Sequence, residues 1–269
     1  MAKIVFWNPF EGMVGCTHTA IAISSVMGIT HKSTCLLMHG NFDSKKIESS
    51  YTLYENLKDN NTLNDSSLGI SPLVRLLKSN KLTPEAIQNY AKPVLKGRLD
   101  ILYGMDLDTE ESKSTLENIP FIMKKANEVY DVVLVDLPKT AKQEFVKEVI
   151  ANADVVVIVL NQDSIKIDDY FKEVQNMDIL KNKSKLVVIG DYEDKSKYNL
   201  SNIKFKYHLK DPLYAVPHNY QFVDACNEGN VLDYLYKNIN AEPKDYNGYF
   251  ISQTSQVVEK IVDIAKIKE

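Results

Sequence analysis

The chain has 269 residues, 44% hydrophobic and 25% charged, and 32 Lys and Arg against 36 Asp and Glu leave a formal net charge of -4. That length admits one large α/β domain or two small ones, and the charge offers no whole-chain case for nucleic acid, leaving only a local basic patch. Cys16, Cys35 and Cys226 stand far apart with no CxxC, no apolar run approaches the roughly 20 residues of a bilayer span and no signal-peptide pattern opens the chain, so a zinc site, a disulfide framework and a membrane span are excluded and a reducing, cytoplasmic setting is expected.

Taken in order, Lys3 to Asn8 reads as a buried strand, followed by a glycine-bearing loop and a helix from Thr17 to about Ile29 rich in small residues. Cys35–Met38 is a second short strand that breaks into His39, Gly40, Asn41, Phe42 and Asp43. Residues 44–98 are the least regular. Asp59 to Ser67 is a polar loop, and Ser71-Pro72 and Thr83-Pro84 each carry the cap-then-proline signature of a helix start. They predict a helical insertion around 50–95.

Leu99–Gly104 reads as a strand and Leu116–Tyr130 as a helix with Ile119, Ile122, Met123, Ala126 and Val129 on one face. Asp131–Pro138, ending in an acid and a proline, and Val155–Leu160 are continuous apolar runs, the pattern of parallel strands covered on both faces. Lys142–Ala151 and Ser164–Leu180 are predicted helices, Lys185–Gly190 a strand, Asp191–Asn199 a charged loop and Leu213–Pro217 a short apolar piece. A helix from about Tyr220 to Asn227 ends at Gly229, and the last helix runs from about Ser252 to Lys266. Strands alternating with helices at this spacing predict an α/β fold, a mainly parallel sheet with helices on both faces, in a single domain over 1–269.

Two constellations carry chemistry. The first is Gly12-Met13-Val14-Gly15-Cys16-Thr17, set between an apolar strand and a helix start, where backbone N–H groups and the helix N-terminus suit a phosphate. Taken alone, a Gly-x-x-Gly also fits a plain strand-to-helix turn. The second is Asp136, closing an apolar strand as the acid does that holds a magnesium water shell. His18 and His39 near the loop read as ordinary polar residues at element ends rather than as metal or acid–base groups, and Cys16 as a thiol of ordinary reactivity.

With both constellations in this order, the chain resembles the MinD/ParA group of P-loop ATPases (deviant Walker A, SIMIBI) nearly end to end. That group's loop, Lys-Gly-Gly-x-Gly-Lys-Thr, corresponds to Glu11-Gly12-Met13-Val14-Gly15-Cys16-Thr17. Its switch segment, an apolar strand before Asp-x-Asp, corresponds to Leu36-Leu37-Met38-His39-Gly40-Asn41. Tyr130-Asp131 through Asp136-Leu137-Pro138, Ala153–Leu160, and Val216-Pro217-His218-Asn219 with Asp224-Ala225 and Gly229 match the remaining motifs.

The resemblance implies ATP with magnesium as the ligand. Gly12, Met13, Val14, Gly15, Cys16, Thr17, His18, Asn41, Asp136, Pro217 and Asn219 would stand around it, with Thr17 and Asp136 on the metal. It also implies that the chemistry is depleted. Glu11 replaces the lysine that reaches the partner's phosphate, Cys16 the loop lysine, and Asn41, which cannot take a proton as a carboxylate does, the switch Asp. A cation of the finger type is worth about 10³–10⁵ in rate, so hydrolysis should be negligible and no catalytic residue is assigned.

Nucleotide binding should then be weak unless Lys3, Lys139 or Lys142 compensates. Within the group, a degenerate loop suggests the TadZ/CpaE-like branch: a pseudo-ATPase homodimer positioning a pilus or secretion motor ATPase, cytoplasmic and drawn to the membrane or cell pole by its partners. A slow ParA-type partitioning ATPase and a nucleotide-free interaction domain are the alternatives. The stripe Val257, Val258, Ile261, Ile264, Ala265 and Ile267 is expected to pack on the domain rather than insert in lipid, because its charges are mixed.

Overall fold

The computed structural model describes residues 1–10, 12, 15–40, 45–52, 68–104, 117–137 and 143–267, apart from the side chains of His39 and Gln143. The expected polar loop at 59–67, together with Glu11, Met13, Val14, Asn41, Lys139 and Lys142, lies outside them.

The two-sided apolar runs pair as parallel strands. β1 (Ala2–Trp7) lies between β5 (Val132–Asp136) and β6 (Val155–Leu160), and β2 (Cys35–His39) lies between β5 and β4 (Leu99–Leu102). β7 (Ser184–Tyr192) and β8 (Tyr214–Pro217) extend the far side, giving an eight-stranded sheet of order β3-β4-β2-β5-β1-β6-β7-β8. All neighbours are parallel except β3 (Lys92–Leu95), which runs antiparallel to β4 at the edge. The fold is the expected α/β one, with a core on each face of the sheet.

One core gathers Ile4, Phe6 and Leu37 from the strands, Ile21 and Ile23 from α1 (Cys16–Thr30), and Val257, Val258 and Ile261 from α11 (Tyr246–Ala265). The other gathers Val5, Trp7 and Met38 beneath α3 (Ile70–Lys78), α4 (Pro84–Tyr90), α5 (Ile119–Ala126), α6 (Gln143–Asn152) and α7 (Ser164–Lys172). Alternate residues of one strand serve opposite cores, which is why the strand sequences show no polar alternation.

The motifs at the amino ends of the strands prove to be clamps. Asp131 accepts hydrogen bonds from the Thr34 N–H at 2.9 Å and hydroxyl at 2.8 Å, tying β5 to β2 and holding its own carboxyl below the usual range. Asp154 accepts from the Lys3 N–H at 2.8 Å and ammonium at 2.9 Å, tying β6 to β1.

Several expectations are corrected. The helix expected over Ser164–Leu180 stops at Lys172 and gives way to 3₁₀ turns at Val174–Asn176 and Asp178–Leu180. Side-chain amides take the carbonyls there: Gln175 donates to the Phe171 carbonyl and Asn176 to that of Lys172 at 3.4 Å. α5 is shorter than its apolar face. α11 begins at Tyr246 rather than Ser252, and its stripe packs inward as expected, with Ile264, Ala265 and Ile267 against the core. The helices α2 (Lys46–Tyr51), α8 (Leu200–Lys206) and α10 (Val231–Asn238) and strand β3 were not expected; α3 and α4 are the expected helical insertion. α9 (Tyr220–Asn227) falls where predicted.

Candidate functional site

The carboxyl ends of β1, β2, β5 and β6 meet at the glycine loop. β1 ends at Trp7, and the buried Asn8 turns the chain: its Oδ1 accepts from the Phe10 N–H at 3.0 Å and its Nδ2 donates to the Gly12 carbonyl at 3.4 Å. Gly12 and Gly15 have φ of +108° and +70°, values that glycine adopts without strain. The Gly15 carbonyl accepts from the Thr19 N–H at 2.8 Å and starts α1. Gly15 has no side chain to cap the helix, and no acid stands in the first turn, so the helix N-terminus keeps its partial positive charge.

β7 closes on the same loop. A β-carbon on Gly15 would lie 3.4 Å from the Asp191 backbone nitrogen and 3.5 Å from its β-carbon.

Thr17, on the first turn of α1, donates its hydroxyl hydrogen to Asp136 Oδ2 at 2.6 Å. Asp136 is 3% exposed, and its backbone carbonyl accepts from the Gly40 N–H at 2.9 Å, so the end of β2, β5 and α1 converge on one residue. A hydroxyl and a carboxylate side by side are hard oxygen donors of the kind magnesium takes, commonly keeping several waters. This donor pair fits the ion that the sequence implies. Among the described residues no cluster of three or more His, Cys, Asp or Glu forms an all-protein metal site.

The cationic side differs from expectation. Lys3 does not face the loop; its ammonium is 2.9 Å from Asp154 at the opposite end of the sheet. Lys46 donates to Asn227 Oδ1 at 2.5 Å. His18 supplies no charge: burial, then the nearby Lys46, lowers its pKa to about 4. Its Nε2 is buried with no hydrogen-bond partner among the described residues, and the ring meets Phe222 edge-on at 6.3 Å.

Among the described residues, an ammonium does reach the loop. Lys166 Nζ lies 3.0 Å from where a β-carbon on Gly12 would stand. Lys166 belongs to the first turn of α7, which follows β6, the neighbour of β1 in the sheet. The sequence reading missed it; the available signal was a lysine just past the carboxyl end of a central strand, where ligand crevices of open α/β sheets lie.

Pro217 and Asn219 stand at the carboxyl end of β8, on the same edge of the sheet. Asn219 is 2% exposed and is engaged in structure: its Oδ1 caps α9 by accepting from the Phe222 N–H at 2.9 Å, and its Nδ2 donates to Asn247 Oδ1 at 3.1 Å. Between them, His218 Nδ1 lies 2.6 Å from Asp191 Oδ1, an exposed pair bridging the ends of β7 and β8. Thus the structure brings Gly12, Gly15, Cys16, Thr17, His18 and Asp136 together at the loop and the start of α1, while Pro217 and Asn219 stand beyond β7 at the end of β8.

No protein-family model and no curated protein matches the chain in sequence. Solved structures share its fold. The cell division ATPase MinD of Pyrococcus furiosus superposes with a TM-score of 0.70 at 15% identity, over 97% of this chain and 100% of its own. MinD of Pyrococcus horikoshii OT3, complexed with Mg-ADP, gives 0.68 at 17% identity over 99% and 100%. A ParA family ATPase from Chlorobium tepidum gives 0.68 at 13% over 96% and 97%.

Proposed function

We propose, taking the MinD and ParA fold as premise, that this chain binds a magnesium nucleotide at the glycine loop, scarcely hydrolyses it, and serves as a dimeric positioning or assembly scaffold. The observation that carries the binding half is the Thr17 hydroxyl set 2.6 Å from the buried Asp136 carboxylate at the foot of a loop whose glycines have positive φ. The Mg-ADP complex of the Pyrococcus horikoshii MinD supports the choice of ligand. Magnesium, when bound, neutralises phosphate charge; Thr17 and Asp136 would hold it. Asn8 fixes the entry to the loop, Gly12 and Gly15 let backbone N–H groups face inward, and the first turn of α1 adds its dipole.

The hydrolysis half rests on residue types. Glu11, Cys16 and Asn41 stand where the related loop and switch carry lysine, lysine and aspartate. Each cation or carboxylate removed takes away stabilisation that only the transition state uses.

The scaffold reading is of the TadZ-like kind: two copies of this chain and a membrane-associated pilus or secretion motor ATPase, with recruitment to the membrane or pole through that partner. In its favour, no described helix is long and apolar enough to cross a membrane, and the apolar stripe of α11 is spent on the core.

Calorimetric titration with ATP and magnesium, run beside a phosphate-release assay, tests the reading. Binding with turnover far below that of a ParA ATPase is expected. Ordinary ParA turnover would overturn the pseudo-ATPase, and no binding at any concentration would overturn the nucleotide site.

A further inference from the structure

A phosphate loop without its lysine still needs positive charge against a triphosphate. Among the described residues near the loop, Cys16 carries none, and Lys3 and Lys46 are engaged with Asp154 and Asn227. We propose that Lys166 is the phosphate-contacting cation of this site, delivered from α7 across the β6–β1 boundary in place of the lysine that Cys16 replaces. The inference rests on the nucleotide-binding reading above.

The topology makes the delivery possible. β6 pairs with β1, with Ile158 opposite Trp7, so the element that follows β6 begins beside the loop that follows β1. Asp163 fixes that beginning, its Oδ1 accepting from the Ile165 N–H at 3.0 Å, and Lys166 follows in the same turn. The ammonium then occupies the space that a side chain on Gly12 would fill, 3.0 Å from the β-carbon position. Gly12 therefore has two tasks: its φ of +108°, and room for this amine.

The electrostatics point the same way. The first turn of a helix disfavours a cation, because the exposed N–H groups there carry partial positive charge. Here the ammonium sits at the start of α7 and also beside the loop that leads into α1. Asp163 is an ion-pair partner only at 3.8 Å, the outer limit of such a contact, and the Lys166 side chain is 23% exposed. The uncapped start of α1 and an ammonium beside Gly12 meet at one glycine loop and form a site for a polyanion. Lysine suits the task, since a long flexible stem carrying a point charge reaches a phosphate from another element without the fixed geometry of a guanidinium.

The experiment is calorimetric titration of magnesium ATP into the wild-type protein and the variants Lys166→Met, Lys166→Gln and Lys166→Arg, with thermal unfolding of each ligand-free protein as the control for folding. The Met and Gln variants should melt as the wild type does yet lose roughly 10- to 100-fold in affinity, the effect of one charge-assisted contact. The Arg variant should keep most of it. Adding Cys16→Lys to Lys166→Met should restore binding, because the charge returns by the loop's own route. Wild-type binding that Met and Gln leave unchanged would overturn the role of Lys166 and leave the nucleotide site standing. A wild type that binds no nucleotide would overturn both.

Discussion

The two ends of the glycine loop are built on different principles. At the Thr17 end the groups are short and fixed: a hydroxyl on the first helical turn and a buried carboxylate on the adjoining strand, 2.6 Å apart. At the Gly12 end the group is long and comes from another element, an ammonium on α7 that reaches the loop beside an absent side chain. Magnesium demands near-ideal geometry, which suits short side chains held by packed elements. A charge acting on a phosphate tolerates more, so it can be supplied from any helix whose first turn faces the loop. Losing lysine from the loop sequence is therefore a different event from losing Asp136.

Breaking the Thr17 end, where the proposed magnesium would be held, should have the largest effect. Asp136→Ala should abolish the magnesium dependence of nucleotide binding, lowering affinity in magnesium by roughly 100-fold; titrations with magnesium and with a chelator measure it, and a surviving dependence would place the metal elsewhere. Next comes the charge set against the phosphate, in the opposite direction. Cys16→Lys should raise affinity by roughly 10-fold or more, and an unchanged value would mean that the loop is not shaped as a phosphate cradle.

Smaller again is Gly15→Ala, which forces a β-carbon at φ +70° to within 3.4 Å of the Asp191 backbone. It should cost about 1–2 kcal/mol, seen as a melting temperature lower by roughly 2–6 °C.

The last effect is absent at neutral pH. With its pKa lowered to about 4 by burial, His18 favours the folded state while neutral. That contribution is complete above the ordinary histidine pKa and is lost as pH falls from there toward about 4. His18→Gln should leave stability at pH 7 nearly unchanged and flatten its decline in acid, as followed by circular dichroism across that range.

Much of this was readable in the residues. The runs Val132–Asp136 and Val155–Leu160 announce buried parallel strands because both faces are apolar, and Asp136 stands out because it ends one of them. β3 did not announce itself: Lys92-Pro93-Val94-Leu95 is short, contains a proline and pairs antiparallel, although Gly97 at φ +69° marks the hairpin turn to β4. α8 is short and mostly polar, and only Asn199, accepting from the Asn202 N–H at 2.9 Å, signals its start. Asn219 falls in the segment the resemblance sets beside the ligand, while its spacing to Phe222 is also that of a helix cap, the role it takes. Lys166 was invisible for a further reason: its meaning depends on β6 lying beside β1, and strand order is a property of the whole chain.

The proline in β3 also bears on how two copies can meet. Lys92 and Pro93 are exposed on the outermost strand. Pro93 offers no N–H to an incoming strand, and the lysine beside it sets a charge in its way. Edge-to-edge extension of the sheet is blocked on that flank, so a second copy joining there would lack a continuous ladder of backbone hydrogen bonds. The sheet is closed to strand-by-strand extension at this border.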